Sequence, residues 1–254
     1  MKIIINPEYE YLRDWIEKLP SSFESNGEIL YKGRNILKVF SLDNGTDINV
    51  KRYRKPHFFN RIVYTFFRKS KAARAYYYTL KIAKKGFDTA EAIAYIEIKQ
   101  NSLLSDSYFV SRQCHNVKEI RECHSGPLSG NEDLIEAFTR YCASLHDAGI
   151  YHLDFSSGNI LYRNDKGKYT FILIDVNRMK FMPVSYDKGC RNFARLFVDD
   201  DIYRHLGMIY SELRQNTLGK EKTTELIIAC KNHFCKRKER LSSIKKIFGF
   251  GRHK

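Results

Sequence analysis

The chain has 254 residues, 43% of them hydrophobic, and carries 44 Lys plus Arg against 29 Asp plus Glu for a formal net charge of +15. That length suits one large domain or two lobes, and the apolar content can fill a core, which excludes disorder along the whole chain. A positive field of this size favours a polyanionic partner: nucleic acid, an anionic membrane face or a phosphorylated glycolipid.

Residues 7–18 (PEYEYLRDWIEK) predict a short helix, with Pro7 in the first turn, Glu8 and Glu10 at the positive end of the dipole, and Leu19-Pro20 as a stop. GEILYKGRNILKVF (27–40) predicts two strands around a turn at Lys32-Gly33-Arg34-Asn35. Asp43-Asn44-Gly45 then leads into DINVKRY, a third strand. Residues 51–74 are strongly basic with interleaved aromatics, and their stretch 58–67 suits either core packing or contact with anionic lipid. A helix is expected from Ser70 to Lys85, ended by Gly86. AIAYIEI (92–98) and SYFVSRQ (107–113) complete a five-stranded sheet, the last strand running into a hinge at Ser111 to Cys114. A helix over Glu132 to Ala148, with Asn131 as N-cap and an apolar stripe through Leu134, Phe138 and Leu145, is closed by Gly149. Helical patterns follow at about 188–198, 200–216 and 221–240. The tail KRKERLSSIKKIFGFGRHK sets Ile244, Ile247, Phe248 and Phe250 among basic residues, as an amphipathic helix on a membrane surface would.

The six cysteines show no Cys-x-x-Cys pair, and the histidines complete no zinc pattern, so they read as reduced thiols of a cytosol. The N-terminal apolar run is too short for a signal-peptide core, and no stretch approaches the ~20 apolar residues that cross a bilayer. The expectation is a cytoplasmic protein, peripheral at most. No nucleic-acid partner is expected, since no RRM, KH or zinc signature accompanies the charge.

The stretch that carries chemistry is LHDAGIYHLDFSSGNILYRNDKGKYTFILIDVNR, residues 145–178. It holds His152 and Asp154, Asn159 five residues beyond that Asp, and Asp175 at the end of an apolar strand. Two carboxylates and an amide at these spacings are what phosphoryl transfer on a protein-kinase-like scaffold requires. Asp154 would orient the acceptor hydroxyl and take its proton. Asn159 and Asp175 would offer hard oxygen ligands to magnesium bridging the triphosphate of ATP. His152 would pack and hydrogen-bond to hold the loop. The fold class is α+β and bilobal: an N-terminal lobe at 1–112 with a five-stranded antiparallel sheet and one main helix, and a mostly helical C-terminal lobe at 113–254.

At these residues the sequence resembles the lipopolysaccharide core kinases, the Kdo/heptose kinase family of the protein-kinase-like superfamily. The matching phrases are LHDAGIYHLDFSSGNILY, FILIDVNRMKF, YKGRN, VKRYRKP and SKAARAYYYTLKIAKKGFDTAEAIAYIE. The leading helix looks like the Bacteroidetes-type subgroup. The resemblance implies ATP-dependent phosphorylation of a Kdo or heptose hydroxyl on lipid-linked core oligosaccharide, at the inner face of the inner membrane. It also implies Lys51 as the catalytic lysine on the α- and β-phosphates, with Lys38 as competing candidate and Ser111 among the nucleotide contacts. Three features depart from the kinase pattern. There is no GxGxxG, so phosphate cover falls to Gly33, Arg34 and Asn35 through their backbone N–H groups. Asp175 is followed by Val-Asn. The helix from Ser70 contains no Glu and places Tyr77 where a partner for Lys51 is expected, leaving Glu91 and Glu97 as substitutes. Two alternatives follow: another kinase-like small-molecule or protein phosphotransferase, or a pseudokinase acting as a binding or scaffold protein.

Overall fold

The structure, a computed structural model, describes residues 1–247, with side chains through 244. Two compact units form: residues 1–116 with 172–178, and residues 117–171 with 179 onward.

The first unit contains β1 (Lys2–Ile5), α1 (Arg13–Ser22), β2 (Glu28–Lys32), β3 (Ile36–Ser41), β4 (Asp47–Tyr53), α2 (Phe58–Ile62), α3 (Lys71–Lys84), β5 (Asp88–Thr89), β6 (Ala92–Gln100) and β7 (Leu103–Arg112). Among the described residues its main sheet has six antiparallel strands in the order β1-β6-β7-β4-β3-β2, one more than the sequence predicts. The extra strand is the N-terminal isoleucine run, which pairs Ile3 with Ile96 and Ile5 with Ala94. An unbroken apolar run lacks the alternation that marks a half-exposed strand, so its pattern does not predict one. The leading helix also runs further than predicted. A 3-10 turn at Pro7–Leu12 feeds α1, which carries Pro20 within its last turn. At that place proline forfeits one hydrogen bond near an end already short of partners.

The sheet is buried on both faces. Ile16, Leu19 and Phe23 pack on Ile48, Val50, Ile96 and Tyr108 on one side. Ala72, Ala73 and Tyr76 of α3 pack on Tyr53 and Tyr95 on the other. Successive residues of a strand point to opposite faces, so β4 sends Val50 towards α1 and Lys51, with Tyr53, towards α3. Lys38 stands opposite Val50 in the ladder and shares its face. There, 4% exposed, its ammonium group donates to the carbonyls of Phe23 (2.6 Å), Glu24 (3.1 Å) and Asn26 (2.8 Å), closing the chain that leaves α1. Lys38 is thus committed to structure, which leaves Lys51 as the lysine of the α3 face.

The second unit contains β8 (Lys118–Glu119), α4 (Glu132–Asp147), β9 (Ile150–His152), β10 (Ile160–Asp165), most of β11 (Lys168–Leu173, whose last two residues belong to the first unit and pair there in parallel with β5), β12 (Met179–Phe181), α5 (Tyr186–Asn192), α6 (Asp200–Leu213) and α7 (Gly219–Ile247). Phe138 on α4 meets the rings of Phe155, Phe171 and Phe197 at 5.5 to 6.2 Å between centroids. His146, in the last turn of α4, has Nδ1 2.8 Å from the Tyr210 hydroxyl on α6 and Nε2 3.1 Å from Asn192 Oδ1 on α5. Burial is the main cause that lowers its pKa to about 4, so a neutral imidazole ties three helices together. The final helix continues past the predicted end at 240, and Leu241 and Ile244 are exposed on it. The aromatic part of the predicted tail helix, Phe248 and Phe250, lies outside the described residues.

Two stability predictions follow from these buried groups. Lys38→Met strands three carbonyls and should cost about 2–4 kcal/mol in urea denaturation. His146 is neutral when folded, whereas its unfolded pKa is near 6.5, so its contribution is complete above about pH 6.5 and is lost as pH falls towards about 4. The stability difference between the parent and His146→Gln should shrink over that window; a difference constant across it would rule this linkage out.

Candidate active site

Asp175 follows β11 and sits at φ +54, in the left-handed region that Asp tolerates better than most residues. The turn aims its carboxylate at the first unit's sheet, where Lys51 Nζ lies 2.7 Å from Oδ1. Asn177 donates from Nδ2 to the same Oδ1, so the polar residue two places downstream fixes the carboxylate. The main chain of Asn177 is held in turn: Arg74 of α3, 5% exposed, donates Nε–H to its carbonyl at 3.1 Å and Nη1–H to the Lys69 carbonyl at 3.2 Å. Tyr53 is buried beside this group. Burial first, and then the Asp175 charge, push its phenol pKa well up. Lys71, at the start of α3, has its pKa lowered by burial and then by the Arg34 and Arg74 charges, which places these three cations in one electrostatic neighbourhood with Asp175. The missing helix glutamate therefore has no acidic stand-in on α3. Tyr77 packs edge-on to Tyr76, with Lys69 Nζ 3.8 Å from its ring centroid. Glu91 faces Arg112 at 3.9 Å, and Glu97 pairs with Lys2 in the ladder. The acid that Lys51 meets is Asp175 itself.

In the second unit, β9 delivers His152 and Asp154. His152 is 2% exposed; its Nδ1 accepts the Asp154 N–H at 3.0 Å, and its carbonyl accepts from Asn192 Nδ2 at 2.9 Å. The loop geometry around Asp154 is thereby coupled to the His146 network. Asn159 donates Nδ2–H to the Asp154 carbonyl at 2.8 Å, which turns its Oδ1 the other way. The Asp154 carboxylate is paired with Arg195. Between Asp154 and Asn159, the backbone at Gly158 is crossed so closely by the Arg121 guanidinium that any Cβ there would collide with it.

Of the predicted residues, Lys51 and Asp175 come together in the first unit, and Asp154 and Asn159 in the second. The glycine turn differs from the expectation. The Gly33 N–H is spent on the Asn35 carbonyl at 3.1 Å, and the Tyr31 ring fills the space beside Gly33. The Asn35 side chain accepts the Arg54 N–H at 3.2 Å. Of the three, Arg34 brings charge towards Lys71. Ser111 lies inside β7, 3% exposed, with its backbone opposite Asn49 and Ala92, so its hydroxyl faces the packed interior of the sheet region. Three functional neighbours escaped the sequence: Arg74, Asn177 and Arg195. Asn177 left a signal, since a short amide two residues after a carboxylate is a common local bond. Arg195 left none, being 41 residues from its partner.

If Arg74 anchors the Asp175 segment, removing it should loosen that segment alone. Arg74→Met should speed amide hydrogen exchange at Val176 to Arg178 by about tenfold, as loss of a hydrogen bond to a charged donor implies, with Arg74→Lys intermediate. Unchanged exchange there would show that the anchor lies elsewhere.

Comparison with known proteins adds the family. No curated protein sequence matches. Among solved structures the fold is similar to "WaaP in complex with acyl carrier protein", with TM-score 0.60 and 17% identity over 94% of this chain and 98% of that one. It is also similar to amicoumacin kinase hAmiN in complex with AMP-PNP, Ca2+ and Ami, with TM-score 0.54 and 9% identity over 87% of each chain. Both likenesses establish a kinase-like fold. The profile of the lipopolysaccharide kinase (Kdo/WaaP) family matches residues 32–197, more than half of the chain, including Lys51, Asp154, Asn159 and Asp175. With that match on top of the fold, the chain belongs to the lipopolysaccharide kinase (Kdo/WaaP) family.

Proposed function

We propose that this lipopolysaccharide kinase transfers the terminal phosphoryl group of ATP to a hydroxyl of a Kdo or heptose residue in the lipid-linked inner core. It would work at the cytoplasmic face of the inner membrane; no helix among the described residues is long and apolar enough to cross a membrane. The observation that carries the reading is the direct Lys51–Asp175 ion pair, with Asp175 held by the Arg74–Asn177 anchor, in a chain of this family.

Roles follow from the chemistry of each group. Lys51 places an ammonium charge on the α- and β-phosphates, and Arg34 and Lys71 add positive charge for the rest of the triphosphate. Asp154, oriented by the His152 contact and by Arg195, takes the proton of the acceptor hydroxyl as its oxygen attacks phosphorus. Among the described residues no group of three or more His, Cys, Asp or Glu could hold a metal unaided. An ion held here would draw most of its ligands from nucleotide and water, as magnesium does, and Asp175 and Asn159 are the candidate protein oxygens, each supplied by its own unit. Such an ion neutralises charge that develops on the phosphates. Ser111, buried in β7, is left without a nucleotide contact in this reading.

The test is ATP turnover with purified core oligosaccharide, read by the mass of the product. A gain of one phosphate on Kdo or on heptose identifies the acceptor sugar. Asp154→Ala and Asp175→Ala should each cut transfer by about a hundredfold or more. Transfer that survives either substitution removes the assignment of that residue, and magnesium-dependent nucleotide binding without transfer to any core sugar would favour a scaffold.

A further inference from the structure

Between α2 and α3 the chain forms a short platform, α2 followed by a π-helical turn at Val63–Phe67, and none of its residues is buried. It exposes two pairs of phenylalanines: Phe58 at 60% with Phe59 at 81%, and Phe66 at 66% with Phe67 at 81%. The rings of each pair meet edge to face, at 6.0 and 6.5 Å. Four large rings held in water on ten residues are unfavourable for a free monomer, and such a patch marks an interaction site.

The platform is fixed rather than frayed. Arg61 donates Nε–H to the Leu104 carbonyl at 2.8 Å and Nη2–H to the Gln100 carbonyl at 2.9 Å. Thr65 Oγ1 accepts the Leu104 N–H at 2.9 Å and donates to the Arg61 carbonyl at 2.7 Å. Both residues clamp the segment to the β6–β7 turn while the rings stay outside. Its electrostatics are one-sided. The sequence has no Asp or Glu between Asp47 and Asp88, and twelve Lys and Arg in the same span. Arg54, Lys55, Arg68 and Lys69, directly flanking the rings, are all exposed.

We propose that this platform is a membrane-docking surface for an anionic phospholipid bilayer, the phenylalanines entering the headgroup–acyl boundary and the flanking cations meeting lipid phosphates. Outward aromatic side chains bordered by Lys and Arg, with every anchoring bond directed inward, are what interfacial insertion requires. The proposal rests on the membrane-facing reading above for its setting, but its evidence is separate from the catalytic residues.

Sedimentation of the full chain with phosphatidylethanolamine vesicles containing phosphatidylglycerol tests it, with phosphatidylcholine vesicles as control. The parent should bind the anionic vesicles, release with added salt, and ignore the control. The double variant Phe59→Ser/Phe67→Ser should bind about tenfold or more weakly. Arg68→Glu should weaken binding at low salt and lose less at high salt. Both changes lie on exposed side chains, and an unchanged thermal midpoint confirms folding. Turnover on delipidated, water-soluble core oligosaccharide should be the same for parent and double variant. If the parent fails to bind anionic vesicles, or the double variant binds as well as the parent, the proposal falls and the rings belong to a protein partner or to another copy. A parent that binds vesicles yet phosphorylates no core sugar would instead overturn the functional reading and leave the docking surface standing.

Discussion

The pleat of one strand decides what the first unit can do. Because its sheet is covered on both faces, β4 cannot carry neutral alternation of inside and outside; each residue belongs to one helix or the other. Val50 goes to α1 and Lys51 to α3. Lys38, one strand over and in register with Val50, falls on the α1 side and becomes a buried clamp for three carbonyls. Two lysines that look interchangeable in sequence are separated by strand parity into a structural cation and a catalytic candidate. A one-residue slip of β4 would exchange its two faces and send Lys51 to the α1 side.

On the α3 side the usual kinase solution is absent, and another physical device occupies its place. α3 carries no acid: Tyr77 stands where one is expected, and the helix contributes Arg74 instead. Arg74 ignores Lys51 and takes hold of the backbone beyond Asp175, while Asn177 steadies the carboxylate. Helix position and carboxylate position are thereby linked through two hydrogen bonds. The second unit uses the same economy: a neutral buried His146, an amide at Asn192 and the His152 backbone form one chain of bonds ending at the Asp154 N–H. In these two chains of bonds the one charged donor is Arg74, whose N–H groups meet carbonyls.

Local features of this chain were legible in its residues. The turn at Gly33, the strand DINVKRY, the helix capped by Ser70 and the spacing of Asp154 and Asn159 each depend on neighbours a few positions away. What escaped depends on contacts far apart in sequence. The strand Lys2–Ile5 is defined by its partner some ninety residues later. Arg195 reaches Asp154 from a segment whose pattern is that of an ordinary helix end. The choice between core and surface for residues 58–67 was equally closed to inspection, since an apolar run reads the same whether a neighbour covers it or not; exposure is a property of the assembled fold.

The contact between Lys51 and Asp175 carries a consequence for how the site fills. With the two side chains closed on one another, neither is free for a new partner, and opening the pair costs the same whether one of them is claimed or both. A ligand that takes only the ammonium group strands a carboxylate, and one that takes only the carboxylate strands an ammonium group. A pair of ligands that claims both bears the opening cost once and divides it. Anion and cation should therefore enter with positive cooperativity, each raising the affinity for the other by the same factor, so that the resting ion pair acts as a check against half-loaded states.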